Sequence, residues 1–307
     1  MDSSVSLRSS ELVNKAGEDA FAIYSVENIG ADCIYRRLRE FSLNEYALYL
    51  SDEAKLNCYH ECDLLLSGIK VNINSFNAIA VGAVADYRFR KTSSDEVRTR
   101  LDIAIAGALF NFLNSVRAFI DQTESSLRRE YGGESSPEFK AWKVETGKAF
   151  DVGLPYGFID KLRNYCQHVG IPAFVHSAVY NPEADQAIYK VEFDRDDLLS
   201  NYDGWGKVAD KLKVEPQFFS VFQVMSDWAG SFSEVSKYIH KFWHAYALDA
   251  ACRIRAYRRE FQVTGDLIVA SKVETPKLGE LQRIPRFVPE AKARKVVIAY
   301  ATPIPED

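Results

Sequence analysis

The sequence predicts a mainly α-helical protein with short β segments on both sides of a helical centre. Three observations carry this reading. The run SSDEVRTRLDIAIAGALFNFLNSVRAFIDQTESSLRREYGG (93–133) keeps apolar residues at helical spacing along its length. Three further stretches, 136–150, 156–169 and 215–261, repeat that spacing. The flanks and one internal stretch instead show short alternating runs typical of strands. With 307 residues, 47% of them apolar, the chain can bury a core across one large or two modest domains.

The elements follow in order. The first dozen residues are polar and Ser-rich, and disorder is expected there. From 18 to 49 the pattern is mixed, and AFAIYSV fits a strand or a short helix equally. SDEAKLNCYHECDLLLSG (51–68) opens on a cap-like Ser51 and an acidic turn and stops at Gly68, which predicts a helix. The stretch 76–90 begins Ala-rich like a helix and ends in ADYRFR, which alternates like a strand.

In 93–133, Ser94 is a candidate cap, Asp95 and Glu96 suit the positive helix end, and Gly132 and Gly133 stop it. Leu101, Ile105, Ala108, Phe112, Val116, Phe119 and Ile120 share one face. Asn114, Arg117 and Asp121 form a polar stripe flanked by Asn111. The next helix starts after Ser136 with Pro137 in its first turn, and a third spans about 156–169. IPAFVHSAVYNPEADQAIYKVEF (171–193) suggests a hairpin around Asn181-Pro182. A long helical stretch covers 215–261, with Gly230 and Ser231 as a point of bending or splitting. DLIVASKV and RKVVIAYATPIP read as one or two closing strands. The expected organisation is a mixed extension over 1–92, a helical domain over 93–262 with a β-like insert near 171–195, and a β-like extension over 263–307.

Composition narrows the setting. No basic-then-apolar leader opens the chain, and no unbroken apolar run is long enough to cross a bilayer. Five cysteines without framework spacing read as reduced thiols, so a cytoplasmic location without membrane partners is expected. A formal net charge of −5 argues against a duplex-DNA coater, but a short RNA needs only a local basic patch.

The segment KLRNYCQHVGIP (161–172) concentrates candidate chemistry. Asn164 and His168 stand one helical turn apart, and Arg163 adjoins Asn164. Phe158, Leu162 and Tyr165 form an apolar stripe that would dock the helix. Gly170 ends it and Pro172 prevents resumption. A His at such an end can exchange protons near neutrality, and a guanidinium can hold a phosphate. RNA supplies its own nucleophile, the 2′-hydroxyl, so acid–base and cationic groups suffice to cleave it. The same residues also fit a purely structural helix end, with Arg163 paired to an acid, Asn164 solvated and His168 capping.

RNYCQH resembles the Arg-x(4–6)-His motif of the HEPN superfamily, and ALFNFLNSVRAFIDQ is similar to that family's long first helix. The resemblance covers about 95–246. It implies an antiparallel HEPN-like helical bundle that dimerises and brings two Arg/His pairs together across a cleft. It also implies a metal-independent endoribonuclease without cofactor, in a phage-defence or toxin–antitoxin setting with an antitoxin or regulatory protein. By this resemblance Arg163, Asn164 and His168 are the catalytic residues. Some members have lost catalysis, so a scaffold that binds RNA or a partner protein is the alternative.

Other constellations are weaker. Cys58, His60 and Cys62 lack a second Cys pair to complete a zinc site, and His240 and His244 lie among aromatics, as packing residues do. No metal site is expected. Arg117, Arg128, Arg129, Arg255, Arg258 and Arg259, with Arg253 and the KARK stretch (292–295), are candidate contacts to an RNA backbone. A solvated basic face is the plainer reading of such runs.

Overall fold

The computed structural model describes residues 21–29, 32–90, 95–181, 183, 186–271 and 286–301. The expected disorder of the first dozen residues, the Ser94 cap and the turn at Pro182 lie outside the described residues. Helix makes up 72% of the structure, and its strands are short and antiparallel, as the periodicity predicts.

Strands β1 (Phe21–Ile29) and β2 (Asp32–Phe41) precede helix α1 (Leu43–Arg90). AFAIYSV is therefore strand. Helix α1 starts earlier than expected, at a reciprocal cap. Glu45 Oε2 accepts from the Ser42 backbone N–H at 2.8 Å, and Ser42 Oγ accepts from the Glu45 N–H at 3.3 Å. These bonds, with the charge of Arg39, hold the Glu45 carboxyl below its ordinary range. Ser51 lies inside the helix, and the ambiguous 76–90 segment continues it.

Helices α2 (Asp95–Tyr131), α3 (Pro137–Asp151) and α4 (Pro155–His168) match the expected spans. Gly132 and Gly133 terminate α2 with φ of 79° and 113°, a region that only glycine enters freely. Ser136 caps α3, its hydroxyl accepting from the Phe139 N–H at 3.2 Å. Strands β3 (Phe174–Asn181) and β4 (Gln186–Asp194) form the expected hairpin. Two short helices, α5 (Arg195–Asn201) and α6 (Val208–Lys213), lead to strand β5 (Phe218–Ser220).

Helix α7 (Val221–Phe261) begins after β5 rather than at 215, and it is not split at Gly230 and Ser231. Trp228 and Phe232, stacked at 4.5 Å on either side of that pair, are both buried and hold the turn in register. Strand β6 (Asp266–Ser271) follows as expected, then β7 (Arg286–Phe287). The last described segment, α8 (Glu290–Ala301), is helical where a strand was expected. Its fully buried positions, Ala293 and Val296, are spaced for a helix rather than for alternation.

Two compact units result. The first comprises 1–62, 130–132 and 240–307; the second comprises 63–129 and 133–239. The first holds an antiparallel sheet in the order β2-β1-β6-β7, so strands more than 200 residues apart in sequence share one sheet. Phe21 stacks on Tyr46 at 3.8 Å, and Phe41 packs on Tyr49 and Tyr257. Asp52, 2% exposed, receives a bidentate pair from Arg253, Nε to Oδ2 at 2.8 Å and Nη2 to Oδ1 at 2.6 Å. The second unit holds the sheet β3-β4-β5 and an aromatic core in which Trp228 meets Phe112, Phe232 and Tyr156, while Phe119 meets Trp142.

Two helices, α1 over 43–83 and α2, are long and apolar enough to cross a membrane by length and composition alone. Counting unbroken apolar runs missed them, because scattered polar residues interrupt each run. Leu109, Phe112 and Phe119 are among the buried third of α2, whereas Leu64, Val71 and Val81 of α1 stand exposed.

Replacing Arg253 with Met should leave the Asp52 carboxylate buried without its partner. Breaking a buried ion pair costs about 3–5 kcal/mol, and the partial exposure of Arg253 puts this case near 3 kcal/mol. Urea denaturation should show a loss of that order, whereas Arg259→Met, on the exposed end of α7, should be nearly neutral.

Candidate functional site

Helix α4 carries the motif. Pro155 at its first position fixes φ without losing a needed N–H. Its inner face is held as the apolar stripe predicts. Phe158 stacks on Trp205 at 5.5 Å with the rings 3° apart, and meets Phe193 and Phe219 edge-on. Tyr165 packs on Tyr202 and Trp205. The β segments after the motif are therefore the platform on which the motif helix rests, rather than an appended excursion. Gly157 permits close packing, since a Cβ there would approach Val208 Cγ2 to 3.0 Å. The helix ends where expected. Val169 and Gly170 both donate to the Tyr165 carbonyl, at 2.8 and 3.3 Å, and Gly170 has φ of 137°.

With the inner face fixed, the remaining positions are determined. Tyr156, Ile159, Asp160 and Arg163 line one side of a cleft. Leu113, Val116, Arg117 and Ile120 of α2 line the other, and Trp228 of α7 completes it. The cleft is partly open to solvent, and its cavity volume is small, about 30 Å³. Arg163 is half-buried. Its Nη1 donates to Asn164 Oδ1 at 3.4 Å, a long bond, and its buried Nε has no hydrogen-bond partner among the described residues. Asp160 makes an ion pair of 3.9 Å with Lys161. Arg117 is held bidentate by Asp121, with both contacts at 2.8 Å.

The motif divides between two directions. Arg163 and Asn164 are joined, and Arg163 faces the cleft. His168 lies exposed in the last turn, five residues on, which at 3.6 residues per turn is roughly 140° around the helix. One chain therefore does not bring His168 beside Arg163. The thiol between them is inert, because burial pushes Cys166 up to about 12.

The candidate RNA-contacting arginines have varied surroundings. Arg128 is clamped by Glu124 at 3.1 Å and Glu134 at 2.8 Å and lies over the Phe139 ring. Arg129 is exposed and contacts Ser126 at 3.4 Å. Arg258 pairs with Glu290 and donates to the Val263 carbonyl at 3.0 Å. Arg255 is half-buried and Arg259 exposed on α7. In the KARK stretch, Lys292 bonds Asn57 at 2.7 Å.

Cys58 and Cys62 are buried in helix packing. His240 and His244 pack against Tyr59 at 5.0 and 5.9 Å, and His244 contacts the Val296 carbonyl at 2.9 Å. Among the described residues, no three His, Cys, Asp or Glu side chains converge as metal ligands would. No sequence pattern signals the contact between His176 and Asp102, whose Nε2 and Oδ1 are 2.5 Å apart. None signals that Asp160, Tyr156 and Trp228 share the cleft with Arg163. Asp160 alone had a local signal, its place one turn before Arg163 on the same face.

The burial of Cys166 generates an expectation. A thiol reagent at neutral pH should label the exposed Cys252 and leave Cys166 unmodified until the protein unfolds, as peptide mapping by mass spectrometry would register. The raised folded value also fixes a sign. The contribution of Cys166 to stability is fully present below its unfolded value, about 8.5, and is lost as pH rises towards 12. No family model matches the chain, and no curated protein or solved structure matches it.

Proposed function

We propose that the chain is a metal-independent endoribonuclease of the HEPN type that acts as a homodimer. The observation that carries this reading is the state of Arg163. It is a cation joined to Asn164, lining a cleft, with a buried Nε that has no acceptor among the described residues. A buried donor left unmet costs about 1–3 kcal/mol, and a phosphate oxygen at the guanidinium would lower that cost. His168 lies exposed on the same helix, available to a partner copy. In the proposed dimer each Arg163 holds the scissile phosphate, Asn164 orients His168 or binds the phosphate, and the two His168 side chains act as base and acid. One His168 takes the proton of the RNA 2′-hydroxyl as it attacks phosphorus, and the other gives a proton to the departing 5′-oxygen, leaving a 2′,3′-cyclic phosphate and a 5′-hydroxyl. A phage-defence or toxin–antitoxin setting, with a regulatory partner, follows from the family resemblance alone.

A non-catalytic reading has one observation in its favour: within a single chain His168 points away from the Arg163 cleft. In that case the same helix binds RNA or a partner protein without cutting.

The products distinguish the two. Incubation with single-stranded RNA in EDTA should give upstream fragments ending in a 2′,3′-cyclic phosphate and downstream fragments beginning with a 5′-hydroxyl. A 2′-deoxy nucleotide at the cut should block the reaction. His168→Ala and Arg163→Ala should each lower the rate about a hundredfold or more while circular dichroism stays unchanged. Light scattering should report a dimer. A 5′-phosphate on the downstream fragment would falsify the nuclease mechanism, and intact RNA at high protein concentration would leave the binding reading.

A further inference from the structure

One side of helix α1 is covered and the other is bare. Ile69 and Phe76 are buried, and Phe76 meets Phe222 edge-on at 5.1 Å. On the opposite side Leu64, Val71, Ala78 and Ala85 recur every seven residues, with Ser67, Asn74 and Val81 between them, and all seven are exposed. Their alternating steps of three and four residues are those of a coiled-coil seam. Leu64, Val71 and Val81 are 54%, 61% and 70% exposed. A Cβ at Gly68 or Gly82, both beside the seam, would meet nothing within 4 Å, so the space along it is open.

Any outer helix face repeats at three and four residues, but a face left to water carries charge. Charged residues make up 26% of the chain, which would put about six of them in residues 64–85, yet Lys70 is the one charge in that stretch. Over about six turns the face offers aliphatic and small neutral side chains instead. Such a face is built to be covered. A bilayer is a poor cover, because Lys70, Asn74 and Asn77 are exposed on the same side and would enter lipid without partners.

Turned end for end, the seam complements itself. With Asn74 on a two-fold axis, Leu64 faces Ala85 of a second copy, Ser67 faces Val81 and Val71 faces Ala78. Each larger side chain meets a smaller one. Asn74 meets its own counterpart, and a carboxamide both donates and accepts, so the pair satisfies itself. One Asn within a neutral seam is a device that fixes register. Lys70 falls opposite Asn77, whose carbonyl can accept from it, and not opposite another cation. Gly68 and Gly82 fall opposite each other and let the helices approach. A parallel pairing would set Leu64 against Leu64 and Ala85 against Ala85, crowded at one end and gapped at the other.

We propose that residues 64–85 of α1 form a self-association surface, on which two copies of the chain pair antiparallel with Asn74 at the centre. The Arg163 cleft is lined by α2, α4 and α7 and not by α1, so this surface stands whether or not the chain cuts RNA.

Val71→Asp combined with Val81→Asp places charge in the seam at two exposed positions. Light scattering of the full chain at micromolar concentration should show an assembly whose mass falls to half in this variant, with circular dichroism unchanged. Disulfide trapping reads the register independently, in protein whose Cys33 and Cys252 are replaced by Ser. With diamide, Asn74→Cys should give a covalent dimer on a non-reducing gel, and so should Ser67→Cys combined with Val81→Cys. Val81→Cys alone should not, because its two copies lie about 20 Å apart along the antiparallel pair. A monomeric wild type, the result if another protein covers the face, overturns the proposal. So does a dimer trapped at Val81→Cys and not at Asn74→Cys, the mark of parallel pairing. A mass unchanged by the Asp pair also overturns it, since the copies then join elsewhere, and the nuclease reading is left standing. The end groups of the RNA fragments decide that reading separately.

Discussion

The rotation of α4 about its own axis is set by Phe158, and the site depends on that rotation. A helix of 14 residues has little stability of its own in water. It is fixed by what its inner face touches, and Phe158 lies among Trp205, Phe193 and Phe219 with no exposed surface. Burying such a ring contributes about 1.5–3 kcal/mol. Leu162 and Tyr165, one and two turns on, are buried on the same side, and Tyr165 shares Trp205 with Phe158. Once these three positions are buried, the helical period leaves no freedom for the others. Tyr156, Ile159, Asp160 and Arg163 line the cleft, while His168 faces outward.

Electrostatics separate cations with partners from cations that lack one. Basic residues at the end of α7 look like a nucleic-acid patch when read along the chain. In three dimensions Arg253 neutralises the buried Asp52, and Arg258 ties α7 to Glu290 at the start of α8. These contacts raise both arginines above their ordinary values, chiefly through the hydrogen bond to the carboxylate in each case. Arg128 is similarly held by Glu124 and Glu134. Such cations contribute to folding, and an RNA phosphate would have to compete with a carboxylate already in place. Arg163 differs because its Nε has no such acceptor among the described residues.

Local chemistry was legible in the sequence and distant pairing was not. The Gly132-Gly133 stop, the Ser136-Pro137 start and the Gly170 termination were readable because each is decided within a few residues. The Ser42–Glu45 cap was equally local, but Ser51-Asp52-Glu53 imitates a helix start. The helix already runs from Leu43, and Asp52 within it is buried against Arg253. The apolar run 296–301 matches a strand because Val, Ile and Tyr favour strands, yet Ala293 and Val296 are buried at helical spacing. In the site, the Arg163–Asn164 contact was implied by adjacency. The cleft was not, since Arg117 and Trp228 come from helices far along the chain and only packing brings them to Arg163.

The pairing of β1 with β6 imposes an order on folding during synthesis. Phe21 lies opposite Ser271, so the central pair of that sheet cannot close until residue 271 has left the ribosome. At about 5–20 residues per second, β1 waits roughly ten to fifty seconds for its neighbour after its own synthesis. The second unit, complete at residue 239, has all its parts before β6 exists. Meanwhile β1 offers Ala22, Ile23 and Tyr24 on a strand with one edge unpaired, the kind of segment that recruits other chains. The nascent protein thus passes through an interval in which the helices bearing Arg163 can assemble while the first strand still depends on chaperones or on its β2 hairpin to stay out of aggregates.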